Sequence, residues 1–149
     1  MIRIIMVFFV LIIFFRKASA KEYIFKGYAV SKQETINISS KHKFSSYTSQ
    51  GMWDDSNGDY GSERCSGYVK QINKKVDLEV YCETINQNNE IFWNSRIRRS
   101  DKGGGIGEMT ILNATGKYKN LIGLSCPYGI TYKDDYAWFR AKCIIKSNK

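Results

Sequence analysis

The sequence predicts an all-β fold of antiparallel hairpins, and three observations lead there. Short runs of alternating apolar and polar residues recur along the chain, joined by brief polar connections, and no long amphipathic helix interrupts them. Proline occurs once, at Pro127. Four cysteines separate into Cys65 and Cys82, then Cys126 and Cys143, each pair seventeen positions apart and each compatible with one hairpin register. About eight strands at such spacing make a sandwich or a closed barrel.

Residues 1–20 stand apart from that pattern. Arg3 is a basic leader, Ile4 to Phe15 is an unbroken apolar run of twelve, and Ala18-Ser19-Ala20 supplies small residues for cleavage before Lys21. Twelve is short against the ~20 residues of a spanning helix. The segment reads as a signal peptide cleaved after Ala20, which makes the product secreted or periplasmic, with no stable membrane span. Arg16 and Lys17 leave an uncleaved signal anchor as the alternative. Residues 21–149 then form one domain of 129 residues, enough for a proper core. Removing Arg3, Arg16 and Lys17 from 23 basic residues leaves 20 against 14 acidic ones, a net charge of +6. Such a surface favours anionic partners, or simply keeps a soluble protein dispersed.

Lys21 to Val30 alternates as a strand, with Tyr23, Phe25, Gly27 and Ala29 on one face and Ile24, Lys26, Tyr28 and Val30 on the other. Glu34 to Ser39 reads as a second, short strand. Lys41 to Phe44 is polar and basic, and the lone histidine there, His42, is a solvated residue rather than a ligand. Gly51 to Glu63 reads as loop, with a turn at Asn57-Gly58. Asp55, Asn57 and Asp59 alternate like the opening of an EF-hand loop, but Tyr60 stands at the glycine position and Ser66 at the closing glutamate. An Asx-turn with Trp53 packed beneath it is the plainer reading.

The next segment is the most specific. A two-residue turn at Asn73-Lys74 sets Val69 opposite Leu78, Gly67 opposite Val80 and Cys65 opposite Cys82 on one face. On the other face Lys70 meets Asp77 and Tyr68 meets Glu79. One register satisfies both faces. The cysteines then fall at a non-hydrogen-bonded pair, where Cα atoms approach to about 4.5 Å, which suits a disulfide. A turn at Asp134-Asp135 repeats the construction: Tyr132 faces Ala137, Ile130 faces Phe139, Tyr128 faces Ala141 and Cys126 faces Cys143. The registers favour Cys65–Cys82 and Cys126–Cys143 among the three pairings four cysteines allow. A four-cysteine zinc site lacks any Cys-x-x-Cys pair, so no metal is expected.

Glu90 to Ser100 is a strand with Ile91, Trp93 and Ile97 on one face and Asn94, Arg96 and Arg98 on the other. The arginine face is read as the solvated outer one, which makes Arg96 and Arg98 the candidate contacts for a polyanion. Gly103 to Gly107 lacks the lysine and hydroxyl of a P-loop and reads as a flexible connection into a strand over Met109 to Leu112. The chain reverses after Asn113, where Gly116 can take positive φ. Gly123 is expected to mark a bulge or a close backbone approach in the following strand. Asn37-Ile38-Ser39 and Asn113-Ala114-Thr115 fit the glycosylation sequon, which acts only in a eukaryotic secretory pathway.

Thr115, Gly116, Lys117, Tyr118 and Gly123 resemble the strand–turn–strand motif of the allene oxide cyclase and dirigent-like β-barrels, with Ala114 in place of the first glycine of that pattern. The resemblance covers about twenty residues and implies an antiparallel eight-stranded barrel. It transfers a corner of the fold and no active site.

No Ser-His-Asp set, metal cluster or cofactor motif appears, and disulfide pairing leaves no free cysteine. Catalytic residues are therefore not assigned, and no specific nucleic acid is expected. Three expectations follow: a barrel binding a small apolar or amphipathic ligand through Trp93, Tyr128, Ile130 and Phe139; a structural or envelope interaction protein with a filled barrel; or an isomerase of the allene oxide cyclase type. The isomerase would need an inward ionisable group, with Glu79, Glu83, Glu90 and Glu108 the carboxylates on or beside strands.

Overall fold

Period-two alternation commits every second side chain of a strand to one face, and here eight strands wrap so that one face of each lines a common interior. The computed structural model describes residues 21–101 and 103–145. Its strands are β1 (Lys21–Ser39), β2 (His42–Asp55), β3 (Tyr60–Ile72), β4 (Lys75–Asn86), β5 (Ile91–Ser100), β6 (Gly105–Ala114), β7 (Ser125–Lys133) and β8 (Tyr136–Ile145), with a 3₁₀ helix at Gly116–Leu121. The strands follow one another around the wall in chain order, and β1 closes the barrel against β8. Closure leaves no open sheet edge for another chain to extend. Among these residues no helix is long and apolar enough to cross a membrane. The signal-peptide reading of residues 1–20 lies outside the described residues.

Tyr23, Phe25 and Ala29 are buried while Lys26, Tyr28 and Val30 are exposed, as the alternation of β1 predicts. Phe25 anchors the core, meeting the rings of Trp53, Phe92 and Phe139 at centroid distances of 5.3, 5.3 and 5.4 Å. The tilted and edge-on geometries suit the ring quadrupoles. Tyr118 of the 3₁₀ helix joins this cluster 5.2 Å from Phe92, so the helix plugs one end of the barrel.

Both disulfide hairpins have the expected registers. Cys65 faces Cys82 within β3–β4, and the ladder of β7–β8 runs from Tyr132–Ala137 through Tyr128–Ala141 toward the second cysteine pair. The bonds are Cys65–Cys82 and Cys126–Cys143, with Cα atoms 4.1 and 4.5 Å apart. Asn73 and Asp134 take positive φ at the two turns, where short polar side chains tolerate it best.

Several boundaries differ from the sequence expectation. The two runs read as separate strands, Lys21 to Val30 and Glu34 to Ser39, are one strand, because β2 pairs along β1 from Phe25–Asp55 to Ser39–His42. The supposed loop from Gly51 to Glu63 is mostly strand. Only residues 56–59 connect β2 to β3, since ladder bonding along a barrel wall overrides local turn signals. The Asx-turn is real: Asp55 Oδ1 accepts from the amides of Asn57 (2.8 Å) and Asp59 (2.9 Å).

The corner after β6 is also different in kind. Gly116 takes φ 52° as expected, but it opens a 3₁₀ helix rather than a tight turn into a strand. Gly123 lies in the turn after that helix at φ 82°, and a Cβ built there meets nothing within 4 Å. Its requirement is therefore backbone conformation and not a bulge or close approach. Gly123→Ala is expected to cost about 1–2 kcal/mol, the left-handed penalty of a side chain, measured as a shift in the denaturant midpoint with unchanged slope.

Candidate functional site

The interior is polar in its middle. Glu63 of β3 and Arg96 of β5 form an ion pair in which both side chains are almost fully buried. Thr84 Oγ1 donates to Glu63 Oε2 (3.2 Å), Asn94 Nδ2 donates to Thr84 Oγ1 (3.2 Å), and Arg96 Nε donates to Asn94 Oδ1 (3.0 Å). The guanidinium also stacks 4.4 Å from the Phe139 ring centroid and 5.6 Å from that of Phe25. Each charge thus has a partner and each partner is itself bonded, the condition for tolerating a buried pair. Glu63 Oε1 lies 3.5 Å from Cys65 Sγ. The group Glu63, Cys65, Cys82 is not a set of thiolate ligands, because the two sulfurs are bonded to each other.

This arrangement reverses one expectation. Asn94, Arg96 and Arg98 face inward, whereas Ile97 is exposed and Trp93 half-buried on the outer face. The ladder partners decide it: Arg96 sits between Val80 of β4 and Met109 of β6, both core residues, and cross-strand neighbours share a face. Arg96 and Arg98 are accordingly not a solvated patch, and a polyanion in bulk solvent meets neither on the closed barrel. Arg98 Nη1 donates to Ser100 Oγ (2.6 Å) and to the Gly104 carbonyl (3.1 Å), and its guanidinium lies 5.9 Å from the Tyr132 ring centroid.

Of the four candidate ligand contacts, Tyr128, Ile130 and Phe139 come together around an internal void with Tyr47, Glu63 and Arg96. Trp93 does not join them. The void measures about 20 Å³, room for about one water. Burial pushes the Tyr128 phenol above its ordinary range even though Arg96 and Arg98 pull it down. Burial raises Tyr132 likewise, and Tyr47 adds to the effect. Tyr128 and Tyr132 are therefore neutral hydrogen-bonding groups at neutral pH.

None of Glu79, Glu83, Glu90 and Glu108 belongs to this interior network. Glu79 accepts from Tyr68 (3.0 Å) and Tyr81 (2.8 Å), Glu83 bonds Arg64 and Trp93 outside, Glu90 holds the plugged end and Glu108 is exposed. The carboxylate at the centre of this network is Glu63, which local turn signals place in a loop. The signal that finds it is parity: Glu63 is two residues from Cys65 and so shares its face.

A second buried network pins the plug. Asp59 accepts from Lys117 Nζ (2.7 Å), Gln87 Nε2 (2.9 Å) and Tyr118 OH (3.0 Å), and Asn86 Nδ2 donates to Tyr118 OH (3.2 Å). Burial opposes ionisation of Asp59, but the bonds from Lys117, Gln87 and Tyr118 outweigh it and hold the carboxyl below its usual value. A depressed carboxyl stabilises the fold above the unfolded value of ~4 and loses that contribution as pH falls through the folded one. Asp59→Asn is expected to cost about 1–3 kcal/mol at neutral pH and to flatten the decline of stability below pH ~4. Urea unfolding across pH measures both. An unchanged acid slope would place the sensitivity at another carboxylate.

Large concavities open on the outside, one of about 740 Å³ beside the β3–β4 turn, lined by Lys70, Asn73, Asp77 and Arg99 among others. Residues of β1 through β6 line a groove of about 790 Å³. One ladder row crosses it in register: Val30 (β1), Gln50 (β2), Arg64 (β3), Glu83 (β4) and Trp93 (β5). The next row adds Lys32, Thr48, Ser66 and Tyr81. Trp93 Nε1 donates to Glu83 Oε2 (3.2 Å), and Arg64 Nε donates to Glu83 Oε1 (2.9 Å), so the indole is held in place. A bulge between Trp93 and Asn94 in the β5–β6 register lets Leu112 reach the rim.

Fold and site together define the class: a closed eight-stranded antiparallel β-barrel, packed inside and stapled by two disulfides. The chain is similar to a crystal structure of a conserved protein of unknown function from Rhodopseudomonas palustris, with a TM-score of 0.65 over 86% of this chain and 99% of that one, at 10% sequence identity. This likeness shows the fold alone. No family model and no curated protein matches the chain.

Proposed function

We propose that this is an exported interaction protein, secreted or periplasmic after cleavage following Ala20, that works through the outer surface of a filled barrel. One observation carries the reading: the interior void is about 20 Å³ while the outer groove is about 790 Å³. Sites for small molecules run to roughly 300–1,000 Å³, so the outer groove is in range and the interior is far below it. The two disulfides suit an oxidising compartment. The isomerase reading finds its inward charges in Glu63 and Arg96, but they are bonded to each other and leave no room for a substrate. A small ligand at Tyr128, Ile130 and Phe139 would have to displace packed side chains.

Native mass spectrometry of the mature protein, purified from the envelope of its own host, tests this. The expected result is a bare chain about four daltons below its reduced mass, two hydrogens for each of two bridges. An extra mass of a few hundred daltons, lost on denaturation, overturns the filled barrel in favour of a carried ligand.

A further inference from the structure

We infer that the outer groove is a binding site for an extended, uncharged carbohydrate chain. This rests on the filled-barrel reading above, and three features of the groove select the ligand.

The first is shape. The row from Val30 to Trp93 crosses four strand-to-strand steps, roughly 19 Å at ~4.8 Å each, along the groove. That fits a rod-like oligomer better than a compact metabolite or a flat bilayer.

The second is an aromatic end that adjoins a hydrogen-bonding floor. Tyr81 is 55% exposed and Trp93 half-exposed, at the end where Arg64 and Glu83 stand. Gln50, Thr48 and Ser66 form an exposed amide and hydroxyl floor between the strands. A sugar ring has an apolar C–H face and a polar rim of hydroxyls. The negative face of an aromatic ring attracts the former, and amides, hydroxyls and bridging waters serve the latter.

The third is charge. Arg64 and Glu83 form an ion pair, with Arg64 Nη2 2.8 Å from Glu83 Oε1, which leaves Lys32 as the unbalanced charge among the residues lining the groove. An anionic polymer would call for a run of unpaired cations, and an apolar partner chain would leave Gln50, Thr48 and Ser66 covered without partners. The site is also preorganised. Glu83 bridges Arg64 and Trp93, and Glu79 holds the Tyr81 hydroxyl, so little side-chain freedom is lost on binding.

The test is affinity electrophoresis of the mature protein through gels holding a soluble β-1,3-glucan, a β-1,4-glucan, a galactomannan or, as the acidic counterpart, alginate. Retardation by at least one neutral polysaccharide is expected, weakened tenfold or more in Trp93→Ala. Ser66→Arg, which fills the groove from its exposed floor and removes no buried group, is expected to do the same with an unchanged melting temperature. Ile106→Ala, at an exposed position outside the groove, is expected to bind as wild type. No retardation by any neutral polysaccharide, or equal retardation in Ser66→Arg, overturns the inference. So does a Ser66→Arg defect confined to anionic phospholipid vesicles, or to self-association by light scattering, which reassigns the groove to a membrane or a second copy. A silent panel with a bare chain by native mass spectrometry removes the carbohydrate but leaves the filled barrel standing. A carried ligand removes the filled barrel itself.

Discussion

Replacing Arg96 with methionine is expected to destabilise the barrel by about 3–5 kcal/mol, because it leaves the Glu63 carboxylate buried without its cation. Glu63 keeps the Thr84 hydroxyl but loses the guanidinium, and Asn94 Oδ1 loses its donor. Denaturant unfolding measures the loss. The companion variant Glu63→Leu/Arg96→Met separates charge from packing. With both ends apolar, Thr84 and Asn94 still bond each other, and most of the stability is expected to return, since buried pairs replaced as a unit are often neutral or better. Should the double variant unfold as easily as Arg96→Met, the cost lies instead in the partners lost by Asn94 Oδ1 and the Thr84 hydroxyl and in the lost stacking of the guanidinium on Phe139 and Phe25.

Removal of Cys126–Cys143 by paired alanine substitution is expected to cost about 3 kcal/mol from loop closure in the unfolded chain, or roughly 10 °C in melting temperature. Cys65–Cys82 closes a loop of the same length and should cost a similar amount. The two bridges sit in separate packing clusters, one with Phe25, Phe92 and Tyr118, the other with Tyr47, Leu78 and Val80. Their effects should therefore add. The sum of about 6 kcal/mol is a large share of the 5–15 kcal/mol typical of a folded domain. Thermal melts of the two paired variants and of the quadruple variant check this. A loss under about 1 kcal/mol per bridge would show that ladder closure between β1 and β8, rather than the crosslinks, holds the wall together.

The two disulfide hairpins are legible in the sequence because their signals are local. Strand residues alternate with period two, so a single turn position fixes every facing pair between residues 65 and 82. The same logic aligns Cys126 with Cys143. An all-β architecture follows from repetition of that pattern, which fits a sandwich as well as a barrel, and the pairing of β1 with β8 decides for the barrel. The faces of β1 are readable too, since Phe25 and Ala29 alternate with Lys26 and Tyr28.

Alternation in β5 separates Asn94, Arg96 and Arg98 from Trp93 and Ile97 without saying which set turns inward. Composition points the arginines to solvent, and tertiary structure reverses that by flanking Arg96 with Val80 and Met109 and by supplying Glu63 from 33 positions away. The outer groove is invisible in the sequence for the same reason. Val30, Gln50, Arg64, Glu83 and Trp93 span five strands, and only the registers place them in one row. The plug depends on Asp59 meeting Tyr118 across 59 positions. Pairings between neighbouring strands are written in sequence spacing. Which face closes inward, and which distant charges meet there, is decided only when the barrel closes, because desolvation and cross-strand packing act on the assembled wall and not on any one strand.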